Sequence, residues 1–172
     1  LFKILFKKNY FDYVISYGVL HHTEKCKEAF LEIIKFLKPG GFIVLGLYHR
    51  YGRSLTKLKQ KLPSFLKKNV SNFDYILKMD ISKKKKRAWG LDQFYNPYET
   101  THTLSETLDW FKESNIEFIN SVPFTFSQNE RLFQKKKVVS KNKLLVKEIL
   151  ETFSSSQIKE GGFFITIGKK IK

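Results

Sequence analysis

The stretch Tyr10-Phe-Asp-Tyr-Val-Ile-Ser-Tyr-Gly-Val-Leu-His-His-Thr23, followed by a polar-apolar repeat and Leu37-Lys-Pro-Gly-Gly-Phe-Ile-Val-Leu-Gly-Leu-Tyr48, decides how this chain folds. Phe11 to Ser16 is short, β-branched and aromatic, and Gly41 to Leu47 is an almost unbroken apolar run. Such runs suit central strands of a parallel sheet, buried on both faces. Between them, Cys26, Ala29, Phe30, Ile33, Ile34 and Leu37 recur at helical spacing and predict a helix with one apolar stripe. Thr23 is the expected N-cap, Glu24 suits the first turn, and Pro39-Gly40-Gly41 is expected to end the helix. The unit is a right-handed βαβ crossover.

In open α/β sheets, ligands sit beyond the carboxyl ends of the strands, so Tyr17 to His22 and Tyr48 to Arg50 should converge on one crevice. These residues, with Ala29-Phe30-Leu31-Glu32 and Leu37-Lys38-Pro39-Gly40-Gly41, resemble the second half of a class I S-adenosylmethionine-dependent methyltransferase. The resemblance implies a Rossmann-like α/β sheet flanked by helices and incomplete at its N-terminal side. It makes the first strand the family's fourth and the second its fifth. Ser16, Tyr17, Gly18, Leu20 and His22 would then bind the cofactor, S-adenosylmethionine. No Gly-x-Gly-x-x-Gly turn occurs, so the chain reads as a carboxyl-terminal fragment whose glycine loop would precede Leu1.

At 172 residues, 42% of them hydrophobic and with 17 Phe and 8 Tyr, the chain can bury one core. It reads as part of one methyltransferase domain over 1–172, with a basic insertion at about 54–103. The single cysteine, Cys26, falls on the apolar stripe and is expected to be a buried thiol in an intracellular, cytoplasmic protein. No apolar run is long enough for a membrane span. The formal charge of +16, from 32 Lys and Arg against 16 Asp and Glu, admits RNA as a partner but defines no site.

The sulfonium donor carries its own activated methyl group, so the protein has to hold donor and acceptor in line and exclude water. No metal is required, and the four histidines show no ligand spacing. His21 and His22 are expected to point in different directions at a helix entrance. His21 is a candidate general base, because imidazole titrates near neutrality, while His22 suits a backbone hydrogen bond that fixes the turn. Tyr48, Arg50 and Arg53 are candidates for acceptor binding, the arginines as partners of a carboxylate or phosphate. His49 reads as a solvated loop residue.

Leu55, Leu58 and Leu62 predict an amphipathic basic helix ended by Pro63, and Lys83 to Arg87 reads as a solvated loop. Leu91 to Thr103 resembles a substrate-side insertion found in some of these enzymes, and Asp92, Tyr95, Glu99 and His102 are candidate acceptor contacts. Thr103-Leu-Ser-Glu106 has capping-box spacing. Ile116 to Val122 and Gly162 to Gly168 read as the last two strands, which the resemblance pairs antiparallel. Leu145, Ile149, Leu150 and Phe153 mark a helix between them. The function expected is methyl transfer to an unidentified acceptor. The alternatives are a non-catalytic basic module that binds RNA or protein and, with less support from the turn after the first strand, a nicotinamide-dependent Rossmann enzyme.

Overall fold

The computed structural model describes residues 6–61, 80, 82–95, 98–125, 131–137, 140–152 and 162–172. Strands β1 (Phe11–Tyr17), β2 (Leu37–Tyr48), β3 (Ile116–Val122) and β4 (Phe163–Lys170) form one sheet in the order β1-β2-β4-β3. β1 and β2 are parallel, joined through helix α1 (Cys26–Ile33), whereas β4 is antiparallel to both β2 and β3. Thus the last two strands pair as expected, and β4 is inserted between β2 and β3. β1, a central strand of the full family sheet in the sequence reading, forms an edge of the described sheet, with Tyr13, Ile15 and Tyr17 exposed on one face.

The other face carries the core. Cys26, Ala29, Phe30 and Ile34 are buried, and Phe30 lies between the β-sheet and helix α4 (Leu104–Glu113), its ring 5.8 Å from those of Trp110 and Phe111. Lys25, not Thr23, occupies the N-cap of α1, without a side-chain cap. Thr23 donates its hydroxyl to the Leu20 carbonyl at 2.6 Å and closes the short 3₁₀ turn Leu20–His22 instead. The helix also ends earlier than Pro39 predicts. A second 3₁₀ turn, Ile34–Phe36, leads straight into β2, and Lys38 to Gly41 bulge out between the pairs Phe11–Leu37 and Tyr13–Phe42. Gly40 needs its positive φ of 80° to make that detour.

Helix α2 (Ser54–Gln60) leaves Leu58 of the predicted leucine stripe exposed; the side chain of Leu55, and Leu62 and Pro63, lie outside the described residues. The Lys83–Arg87 run, expected to be a loop, opens helix α3 (Lys83–Tyr95). Neighbouring ammonium groups tolerate this because most of that face is exposed to water, where their repulsion is screened. The capping box of α4 forms as read: Glu106 N–H donates to Thr103 Oγ1 at 3.1 Å and Thr103 N–H to Glu106 Oε2 at 3.2 Å. Helix α5 (Lys141–Thr152) turns Leu144 and Glu148 inward, not Leu145, Ile149 and Leu150, which are exposed. Among the described residues, no helix is long and apolar enough to cross a membrane.

Gly168 in β4 is the tightest point between sheet and helix. A Cβ there would meet Phe111 Cε2 at 2.6 Å and collide with Ile116 Cγ2, both in buried side chains. Gly168→Ala should therefore lower stability by about 1–3 kcal/mol, the usual cost of overpacking, read as a lower urea midpoint at unchanged m-value.

Candidate functional site

The carboxyl ends of β1 and β2 meet where the sequence places them. Gly18, at a φ of 71°, turns the chain away from β1 and donates its N–H to the Gly46 carbonyl at 3.2 Å. The 3₁₀ turn then carries Leu20 and His21 into the interior, both less than 5% exposed. Beside it, β2 delivers Tyr48, whose ring lies 4.0 Å from that of His21. Tyr17 meets Phe163 of β4 at 4.7 Å, over Gly46. A side chain at position 46 would strike Phe163 Cζ at 2.5 Å, so the glycine is what lets the two rings approach.

Residues 98–103 run as a strap across this end of the sheet. Thr100 N–H donates to the His21 carbonyl at 2.8 Å, His102 N–H to the Tyr48 carbonyl at 2.9 Å and Arg50 N–H to the His102 carbonyl at 2.9 Å. The strap brings Glu99 to Arg53, a fully buried residue. Arg53 donates Nε to Glu99 Oε1 at 3.1 Å and Nη2 to Glu99 Oε2, and its guanidinium sits 3.9 Å above the Tyr48 ring. Arg50 pairs with Glu106, and His102 packs on Trp110 with its ring 2.9 Å from Thr100 Oγ1 and 3.3 Å from Glu106. The cations proposed from sequence to receive an acidic acceptor are therefore engaged by the protein's own carboxylates. The backbone of Asp92 and Tyr95 belongs to α3, and their side chains lie outside the described residues.

His21 and His22 do not diverge as expected. The tight 3₁₀ turn brings their Nε2 atoms to 3.1 Å, and His22 Nδ1 reaches the Tyr98 carbonyl at 3.3 Å, a backbone partner distant in sequence. Burial, with His22, Arg53 and His102 adding repulsion, lowers the His21 pKa to about 3, while the Gly46 carbonyl acts in the opposite sense. Burial likewise lowers the pKa of His102 against the pull of Glu106, and pushes the Cys26 thiol up to about 12. Cys26 is thus an inert core group.

His49, read as solvated, is fully buried: its Nε2 is 3.1 Å from Glu148 Oε1, and the same oxygen accepts from Leu104 N–H at the start of α4. The pairing of β2 with the strap draws it inward. Phe163, Gly46, Tyr98 and Thr100 were not singled out from sequence. Only Gly46 left a signal, a glycine within an otherwise apolar strand. Among the described residues no cluster of three His, Cys, Asp or Glu could hold a metal.

Residues 1–45 match the methyltransferase domain family. Together with the sheet order, this settles the architecture. The fold is that of a class I methyltransferase. PKMT2 from Rickettsia typhi shares this methyltransferase fold at a TM-score of 0.59 and 12% identity, over 94% of this chain and 36% of that one. The same protein in complex with AdoHcy gives 0.55 and 10%, over 99% and 37%. A methyltransferase from Haloferax volcanii, in complex with the activator Trm112, gives 0.50 and 11%, over 99% and 58%. The chain thus spans between about a third and three fifths of these proteins' lengths. No curated protein sequence matches it.

Two outcomes follow from the buried charges. Glu99→Gln removes the carboxylate charge from the buried Arg53 guanidinium and should cost about 3–5 kcal/mol, measured by urea denaturation. Because the folded pKa of His21 lies below its ordinary 6.5, the unfolded chain binds a proton that the native chain refuses. Its contribution to stability is complete above about pH 6.5 and is lost as pH falls towards about 3. Thermal melts across that window should show a shallower dependence in His21→Gln.

Proposed function

We propose that this chain forms part of an S-adenosylmethionine-dependent methyltransferase, contributing the methionine end of the cofactor site and one wall of the acceptor site. The observation that carries this reading is the Tyr17–Gly18 turn. It stands at the carboxyl end of β1, beside a parallel β2, within the segment that matches the methyltransferase domain family. The residues present suit a polar, cationic ligand. Ser16 Oγ and His21 Nδ1 are buried without a hydrogen bond, and Tyr17 and Phe163 group aromatic faces that favour a sulfonium. Ser16, Tyr17, Gly18, Leu20 and His22 would hold the cofactor.

S-adenosylmethionine supplies a methyl group already activated on sulfur. What remains for this chain is position, dehydration and proton handling. The acceptor wall consists of Tyr48, the strap and, through their carboxylate partners, Arg53 and Arg50. Arg53 fixes the Tyr48 ring from behind, and His102 holds the strap against Trp110. These arginines act as scaffolding, so the acceptor need not be an acid. Tyr95 enters as a candidate through its place on α3, next to the strap in sequence.

Calorimetric titration of S-adenosylmethionine and its demethylated product into the full-length gene product tests the reading. Gly18→Ala is the informative variant. The added methyl meets only Phe163 Cε2, at 3.9 Å, so the change acts through the positive φ. With a backbone penalty of about 1–2 kcal/mol, affinity should fall about tenfold while the protein stays folded. Absence of binding by the unaltered protein would return the chain to the non-catalytic basic module.

A further inference from the structure

The positive charge is concentrated in one quarter of the chain. Residues 54–95 hold 11 Lys and Arg against three Asp, a net +8, so half of the chain's +16 falls in 42 of 172 residues. Helices α2 and α3 belong to this segment and pack on each other.

Folding does not call for such a charge. Helices α1 and α4, which build the core, carry Glu28 and Glu106 in their first turns, as the helix macrodipole favours. Helix α3 does the reverse: it opens on Lys83-Lys84-Lys85-Lys86-Arg87, with no acid in its first turn. Lys83 and Arg87, one turn apart, add like-charge repulsion. A local cap, Lys85 N–H donating to Ser82 Oγ at 3.3 Å, starts the helix in spite of this. Elsewhere lysines find carboxylates, Lys27 with Glu113, Lys38 with Asp12 and Lys141 with Asp109. Among the described residues, no carboxylate pairs with Lys57, Lys61 or the five cations of α3. Lys83, Lys84, Lys85 and Arg87 are exposed, so water screens their charge without neutralising it.

The arrangement of the cations selects among polyanions. Successive helical residues are rotated by about 100°, so Lys83, Lys84 and Lys85 face three sides of the helix. A bilayer surface meets one side only, and an interfacial helix needs an apolar stripe that this run lacks. A flexible strand of phosphates can bend around the helix end. The surface also reaches the proposed acceptor wall, because Lys57 Nζ of α2 donates to Thr101 Oγ1 of the strap at 2.9 Å.

We propose that α2 and the first turns of α3 bind the phosphate backbone of single-stranded RNA, through Lys57, Lys61 and Lys83 to Arg87. The surface rests on charge and helix geometry and is independent of the methyl-transfer reading. Phosphate contacts carry no sequence information, so the bases are interchangeable.

Fluorescence anisotropy of labelled oligouridine and oligoadenylate with the full-length gene product, across a salt series, tests the surface. Each phosphate neutralised on a single strand contributes about 0.7 to the slope of log K against log salt. Replacing Lys83, Lys84 and Lys85 together by Gln should therefore weaken binding and make the slope shallower by about 2, equally for both strands. Replacing the exposed Lys137, Lys143 and Lys147 by Gln lowers the net charge as much and should leave the slope unchanged. Because Gln relieves repulsion at the start of α3, the first triple variant should melt no lower than the parent, which separates lost binding from lost folding. Equal losses in the two triple variants would reduce the binding to diffuse attraction and overturn the site. No RNA binding by the unaltered protein, or tighter binding to duplex RNA or phosphatidylserine vesicles than to single strands, would overturn it as well. S-adenosylmethionine calorimetry on the same sample keeps the two ideas apart: RNA binding that α3 controls, without cofactor binding, keeps the surface and sinks the methyl-transfer reading, and cofactor binding without RNA binding does the reverse.

Discussion

A guanidinium with no exposed surface has to be neutralised, and at the carboxyl end of this sheet that requirement organises everything around it. Arg53 enters the interior just after β2, with Glu99 against it. Glu99 comes from a segment 46 residues further along, so the pairing obliges residues 98–103 to lie across the ends of β1 and β2. Once there, the strap satisfies the His21 and Tyr48 carbonyls, which a solvated loop would have left to water. Tyr48 is clamped between the guanidinium on one side and His21 on the other. The buried guanidinium thus ties the strap to the end of β2.

A second buried carboxylate holds the neighbouring corner. Glu148 reaches from α5 to the first turn of α4, where unpaired N–H groups and the helix dipole favour a negative group, and touches His49 with the same oxygen. The strand that carries Tyr48 and Arg50, the helix that carries Glu106 and the helix before β4 are joined at that point. This explains why α5 buries Leu144 and Glu148, four residues apart, and leaves its more obvious leucine and isoleucine stripe in water.

How much of this was legible follows from which interactions are local. The βαβ unit and the capping box could be read because periodicity of two or 3.6 and an N-cap spacing are properties of neighbouring residues, whereas the antiparallel ending came from the family resemblance. Cys26, Ala29, Phe30 and Ile34 are buried as their spacing requires. What could not be read depends on partners far along the chain. Arg50 and Arg53 look like free anion receptors until Glu106 and Glu99 are placed against them. His49 looks solvated until α5 supplies Glu148. Even the adjacent pair His21 and His22 escaped, because a helical turn would separate rings that a 3₁₀ turn, capped by Thr23, brings together. Thr23 and Pro39 were recognised as punctuation but assigned to the wrong marks.

The bare face of β1 has a colloidal consequence. Tyr13, Ile15 and Tyr17 are each more than half exposed along one side of the strand, with Phe42 and Val44 beside them in register. Two copies would gain by pressing such faces together, while the charge of +16 keeps them apart at long range. The repulsion reaches only about 10 Å at 0.1 M salt, whereas apolar attraction strengthens with kosmotropic ions. Dilute buffer and high salt thus act on this surface in opposite directions: the first disperses the molecules, and the second lets a wet aromatic ladder become an adhesive.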